Sequence, residues 1–252
     1  MSETKPGRPL ETFAWIALIV AAVAAAMVAA AGPAYRFGLI SLQAAFAEMR
    51  SGAYGAAGGG AVALIVAAVA YLRGVTRAAL IAAIAAAIAG PTFYLPWQFG
   101  QRAQAVPPIH DISTDLDDPP PWVALRAARE ASRNGAGLPD ADTRERQRKG
   151  YPELGPVHLA VSPERAFGTA ESAARAMGWS IADSSSADGR IEAGAVTIWF
   201  GFTDDIVIRV RAEGDGSRVD IRSASRIGRS DLGANAARIR AYRERLERAA
   251  RG

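Results

Sequence analysis

The chain has 252 residues, half of them hydrophobic, a formal net charge of +4 and no cysteine. The missing cysteine excludes disulfides, thiolate nucleophiles and cysteine metal sites. Residues 1–98 hold six basic and three acidic groups, while 99–252 hold 23 and 22, so the near-neutral second part gives no support to nucleic-acid binding.

The first hundred residues read as a transmembrane region with three helices, at about 12–31, 53–72 and 78–99. The run Phe13 to Ala31 is nineteen apolar residues, enough at about 1.5 Å per residue to cross a bilayer core. It is longer than the usual signal-peptide core and more spans follow, so a retained anchor is expected rather than a cleaved leader. Ala53 to Leu72 and Ala78 to Phe99 flank the short basic link Arg73 to Arg77 and form a tight hairpin. Gly55, Gly59, Ala63 and Ala67 at four-residue intervals permit close backbone approach. Pro91 and Pro96 predict a kink or loosening of the third span. Phe37 to Ala47 is too short to cross and suggests an interfacial or re-entrant stretch. With a cytoplasmic amino terminus, Lys5, Arg8, Arg73 and Arg77 lie inside, and three crossings put the remainder outside the cytoplasm; four would reverse that.

From 101 to 252 the sequence predicts an extracytoplasmic α+β domain. Gln101 to Pro108 is a linker, and Pro119 to Pro121 enforce an extended course. A short helix is predicted within Trp122 to Arg133. Asn134 to Pro156 is polar, without a hydrophobic period, and reads as loop. Val157 to Val161 alternates as a strand, with His158 opposite Val157. Ser162 and Pro163 start a helix that Gly178 ends. Trp179 to Ala182, Arg190 to Phe200, Asp205 to Arg211 and Val219 to Ser223 are strands of an antiparallel meander. One face is apolar, and the other carries Arg209, Arg211, Arg218, Asp220 and Arg222 as ion pairs on a solvated surface. Ser230 or Asp231 caps a helix from Leu232 to Ala250 that covers the sheet. The order amounts to an α-helical membrane anchor plus an α+β domain, an antiparallel sheet covered by helices and loosely helix-grip-like.

Several blocks occur in order: His110-Asp111-Ile112-Ser113-Thr114-Asp115, Pro119-Pro120, Gly178-Trp179, Gly189-Arg190-Ile191-Glu192-Ala193, Trp199-Phe200-Gly201-Phe202 with Asp204-Asp205, and Arg222-Ser223 through Ser225-Arg226 to Gly228-Arg229-Ser230-Asp231-Leu232-Gly233 with Asn235 and Arg238-Ile239. With them the chain resembles the DUF1499 family of bacterial and plastid proteins, over roughly residues 106 to 247. The resemblance implies a domain but no chemistry.

Three groups are candidate sites. Arg226, Arg229, Ser230, Asn235 and Arg238 surround a helix start, where they either hold an anion such as a lipid headgroup or serve internal capping and ion pairing with Asp231. His110, Asp111, Ser113, Thr114 and Asp115 form a polar loop that is docked on the domain, binds a metal or supplies acid/base groups. Its spacing matches no EF-hand or zinc-protease motif. Trp199, Phe200 and Phe202 are core filler or an exposed patch beside a membrane or lipid cavity. No glycine-rich nucleotide loop or serine elbow occurs, so no cofactor is implied. The leading reading is a non-enzymatic binding or assembly domain held at a bacterial inner membrane, its carboxyl-terminal domain periplasmic, with membrane lipids or another membrane protein as partners and no nucleic acid. The alternative is a hydrolase-like enzyme using His110 with Asp111 or Asp115.

Overall fold

The computed structural model describes residues 7–251. The chain folds as two compact units, one running to Gln101 and including Trp199–Gly201, the other formed by Arg102–Ile198 and Phe202 onward. Each is built on its own principle.

The first unit holds helices α1 (Arg8–Arg36), α2 (Leu42–Leu72) and α3 (Thr76–Ala105). All three are long and apolar enough to cross a membrane. Lipid tails are as apolar as leucine, so helix association relies on close packing of small side chains. The buried face of α1 is accordingly Ala14, Ala17, Ala21, Ala24, Val28 and Ala31. On α2, a Cβ at Gly59 would lie 2.8 Å from Val20 Cγ1, and one at Gly52 would lie 2.9 Å from the Ala24 carbonyl oxygen. Gly59 and Ala63 of the expected four-residue series lie where α2 meets its neighbours, Gly55 makes ordinary contact with Ala24, and the closest approach to α1 backbone comes one turn earlier, at Gly52. The hairpin between α2 and α3 closes through Gly74 at φ +68°. Its N–H donates to Tyr71 O at 3.1 Å, and Val75 N–H donates to Ala70 O at 2.8 Å, which satisfies carbonyls left open at the helix end.

Two expectations for this unit change. Phe37 to Ala47 is not an element of its own. Ser41 caps α2 by accepting Ala44 N–H at 3.1 Å, so the helix incorporates residues from Leu42 onward. The expected linker Gln101 to Pro108 is helical over its first half, because α3, with Pro91 and Pro96 inside it as expected, runs on to Ala105.

The second unit is a six-stranded antiparallel sheet with helices. Its strands are β1 (Asp111–Ser113), β2 (Val157–Leu159), β3 (Ser180–Ser185), β4 (Arg190–Val196), β5 (Thr203–Glu213) and β6 (Gly216–Ser225). Their order is β1-β6-β5-β4-β3, with β2 also pairing β6. Helices α4 (Arg126–Glu130), α5 (Ala141–Gly150), α6 (Pro163–Ala176) and α7 (Ala234–Arg251) complete it. The α+β class and the helix-covered sheet are as the sequence predicts.

Register explains the two faces. Ile191 pairs with Ile208 and Ile208 with Ile221, so one face of three neighbouring strands is a row of isoleucines. Helices α6 and α7 cover it with Phe167, Ala170, Ile239, Tyr242 and Leu246. The Tyr242 hydroxyl donates to Ala170 O at 2.9 Å, which fastens α7 to α6, and its ring stacks on Trp179 with centroids 5.1 Å apart. Burial raises the Tyr242 phenol well above its ordinary value. The space between helices and sheet is therefore filled with side chains. Gly189 is held at φ +60° beside the Val210 carbonyl oxygen, where a Cβ would collide.

The region 134–156 departs from the expected loop. Asp140 accepts Thr143 N–H at 2.8 Å and starts α5. This helix lacks an apolar stripe; Asp142–Arg146 and Glu145–Lys149 pairs support its surface. The residue it buries is Gln147, whose amide exchanges hydrogen bonds with the backbone of Ser113 at 3.0 and 2.6 Å.

Candidate functional site

The centre of the sheet's polar face is not solvated, while Arg211 and Arg218 at its edge keep exposed surface. Asp220 and Arg222 have no exposed surface, because the segment running from β1 through Trp122 and α4 to Gly137 crosses that face. Trp122 packs on Val207 and Ala224, with Leu125 and Ala136 beside it. The guanidinium carbons of Arg129 and Arg222 lie 4.6 and 5.0 Å from its ring centroid, within cation–π reach. Strand alternation aimed the arginines correctly. What alternation lacks is any term for a distant loop arriving on top of them.

Every ion brought under this strap needs a partner, because an unpaired buried charge costs several kcal/mol. Arg222 makes a two-point contact with Asp111, Nε to Oδ1 at 3.0 Å and Nη2 to Oδ2 at 2.7 Å. It also donates to the carbonyls of Pro120 and Gly137. Arg129, only 1% exposed, donates to Asp205 Oδ2 at 3.0 Å and to Ala224 O at 2.9 Å. Desolvation pulls the Arg129 guanidinium below its ordinary value, opposed by Asp205 and Asp111. Glu192, wholly buried, accepts the N–H groups of Val123, Ala124 and Leu125 at 2.9–3.0 Å. Its carboxylate thereby caps the turn that enters α4.

Nearer the edge, Arg209, Arg211 and Arg218 converge on Asp220 and Asp115. Asp220 Oδ2 accepts from Arg209 and Arg211 at 3.0 and 2.8 Å, and Oδ1 accepts from Arg218 at 2.9 Å. Asp115 Oδ2 accepts from all three, most closely from Arg218 at 2.7 Å. Its Oδ1 accepts Asp117 and Asp118 N–H, which turns the chain at the start of the strap.

The other members of the 110–115 loop also serve the fold. The Thr114 hydroxyl accepts Ile221 N–H at 2.8 Å, while Ser113 Oγ donates to Asp115 O at 2.8 Å. The His110 carbonyl accepts Ser225 N–H and the Asn235 side-chain amide. Its ring Nδ1 is buried with no hydrogen-bond partner among the described residues. Neither Asp111 nor Asp115 is directed at that imidazole by any hydrogen bond among the described residues, and the same residues contain no group of three or more metal-ligating side chains.

The start of α7 forms a second network. Asp231 accepts Gly233 N–H at 2.9 Å and Asn235 N–H at 2.7 Å, and burial raises its carboxyl above the ordinary value against those bonds. Leu232 takes φ +54° to make this turn, so the helix begins at Ala234 rather than at Leu232. Ser230 Oγ accepts Leu232 N–H. Asn235 bridges Ser223, Ser225 and His110, and Arg238 joins Ser223 and Asn235 while its Nη2 donates to Asp204 at 2.6 Å. Arg226 turns away from Asp231 and clasps Asp205 with Nε and Nη2 at 2.9 Å, which raises its guanidinium above the ordinary value. Arg229 is exposed. Thus Asp204 and Asp205, adjacent on β5, point to opposite faces and each binds arginine from a different element.

The aromatic group divides. Trp199 and Phe200 belong to the helical unit, where the Trp199 indole N–H donates to Ala29 O at 3.1 Å and the Phe200 ring lies 6.1 and 5.6 Å from those of Tyr35 and Phe46. Phe202 belongs to the α+β unit, where its N–H donates to Thr197 Oγ1 at 2.9 Å. Glu192, Asp205, Arg129, Trp122 and Gln147 were not singled out as site residues from sequence. Alternation exposes the opposite aims of Asp204 and Asp205, but the partners of Asp205 lie 76 and 21 residues away.

No curated protein matches the chain. The model of a family described as "Protein of unknown function (DUF1499)" matches residues 111–246, from the first residue of β1 into the last helix, and so takes in the strap, the sheet and both polar networks. Covering more than half of the chain, that match makes it a member of the DUF1499 family.

Proposed function

We propose that the chain is a membrane-held, non-catalytic binding or assembly module. In this reading α1–α3 cross a bacterial inner membrane, the DUF1499 domain lies on the periplasmic side, and the domain engages anionic lipid or a membrane-protein partner. The supporting observation is the commitment of the polar loop: Asp111 and Asp115 are bound by Arg222 and by Arg209, Arg211 and Arg218. Carboxylate oxygens already taken up by guanidinium donors are not aimed at a substrate or at His110, which favours recognition over hydrolysis. At the start of α7, Arg226 and Arg238 are likewise matched by Asp205 and Asp204. Contact with a headgroup there falls to the exposed Arg229.

Reporter fusions after Arg73 and at Gly252 test the topology. The reading expects a cytoplasmic signal at the first and an extracytoplasmic one at the second; a cytoplasmic signal at Gly252 overturns it. For recognition, full-length protein in nanodiscs is mixed with anionic liposomes. Arg229→Ala should weaken salt-sensitive co-sedimentation without altering thermal unfolding, and unchanged co-sedimentation rejects the headgroup contact.

A further inference from the structure

The hairpin end of α2 and α3 contains an apolar groove of about 720 Å³, lined by Ala67, Tyr71, Gly74, Ala79, Leu80 and Ala83, with Thr76 at its end. Its volume falls within the roughly 300–1,000 Å³ typical of small-ligand sites. Small side chains make the space. A methyl group stands at 67, 79 and 83, and Gly74 supplies none, while Tyr71 and Leu80 form exposed walls. Two cations bracket the hairpin end. Arg73 precedes Gly74 and is exposed, and Arg77 follows Thr76 with its side chain 71% exposed. The sequence carries no acidic residue between Glu48 and Asp111. Among the described residues, the carboxylate paired with either arginine is Glu11 of α1, 3.8 Å from Arg77 and beyond hydrogen-bond length.

We infer that this groove binds one anionic phospholipid, an acyl chain lying against Ala67, Ala79 and Ala83 and the phosphate held by Arg73 and Arg77. The inference rests on α2 and α3 crossing a membrane, because only then does the groove meet acyl chains. Charge complementarity selects the occupant. Among the described residues the two arginines have one carboxylate near them, Glu11, at the end of a span where headgroups lie, and basic pockets between membrane helices favour anionic lipid. An apolar protein segment would fill the same groove but bring no anion to either guanidinium group.

The test is native mass spectrometry of the full-length protein, delipidated in detergent and titrated with dioleoyl phosphatidylglycerol or dioleoyl phosphatidylcholine. One phosphatidylglycerol should be retained with about tenfold preference, the order expected from two surface arginines partly offset by Glu11. The Arg73→Gln/Arg77→Gln variant should lose the preference while still binding phosphatidylcholine weakly. Ala83→Phe, an exposed position filled with an aromatic ring, should reduce retention of both lipids. Circular dichroism confirms that the variants remain helical, and Arg50→Gln, at a distant position on α2, serves as the charge control. Equal retention of the two lipids overturns the inference, as does a preference that survives the arginine variant or is lost equally in the control. A dimer that persists after delipidation and is dissociated by Ala83→Phe would put a second copy in the groove and overturn it too. Because this experiment reads lipid on detergent-held helices, it can fail while the DUF1499 domain remains periplasmic, or succeed while Gly252 proves cytoplasmic.

Discussion

Asp205→Ala should be among the most destabilising single changes in the α+β unit. Asp205 has no exposed surface and takes Arg129 on one oxygen and Arg226 across both. Its removal leaves Arg129, 1% exposed, with Ala224 O as its remaining recorded acceptor. Breaking a buried pair by deleting one partner costs about 3–5 kcal/mol. For a domain of this size that corresponds to a fall of roughly 6–20 °C in Tm. The two arginines should behave differently. The Arg226 side chain is 28% exposed and can turn to water when Asp205 goes, and Arg226→Ala leaves Asp205 still paired with Arg129, so it should cost less than Asp205→Ala. Arg129 has no such exit. Replacing both members of the fully buried pair, Arg129→Met with Asp205→Leu, should recover most of the loss, since the desolvation of two ions disappears with them. Urea denaturation of the full chain in detergent, followed by near-ultraviolet circular dichroism, gives the free energies. An Asp205→Ala loss below about 1 kcal/mol, or equal losses for Asp205→Ala and Arg226→Ala, would refute the account of the strap as an ion-locked cover.

Two further outcomes follow from single groups. Glu192→Ala should free the Val123, Ala124 and Leu125 amides and cost about 2–3 kcal/mol; hydrogen exchange over 122–133 should accelerate while α6 and α7 stay protected, and unchanged exchange would remove Glu192 as the anchor. Burial raises the Asp231 carboxyl in the folded state, so folding retains a proton the unfolded chain has lost. Its contribution to stability is therefore fully present below the unfolded value near 3.9 and declines as pH rises through the folded one. The stability of the native chain relative to Asp231→Asn, measured from pH 4 to 7, should fall as pH rises. A difference that grows instead would mean the two backbone N–H bonds outweigh burial.

Much of the fold was legible because it depends on local spacing. Uninterrupted apolar runs of about twenty residues mark α1–α3. Ser162 before Pro163, with Gly178 beyond, delimits α6, and period-two alternation places Ile206, Ile208 and Ile221 on the helix-covered face. Where local patterning was weak, the reading failed in an identifiable way. Helix α5 has a cap and i,i+4 ion pairs but no apolar stripe, and what it buries is one glutamine amide. Gln101 to Pro108 reads locally as a linker, but α3 continues to Ala105.

The candidate sites show where sequence ends. Alternation fixes that Arg209, Arg211 and Arg222 share a face with Asp205, Asp220 and Glu192, because successive residues of a strand must point to opposite sides. It does not fix whether water or protein lies above that face. Tertiary structure decides this by bringing Asp111 within 2.7 Å of Arg222, 111 residues along the chain, and Asp115 within 2.7 Å of Arg218. A guanidinium facing water and one buried beneath Trp122 have the same local sequence; they differ in solvation, and solvation is set by residues distant in the chain. The sequence by itself determined a membrane-anchor-like region followed by a DUF1499 domain. Only the folded arrangement turned the centre of the most polar strand face into a paired interior, with Arg211 and Arg218 left at its edge.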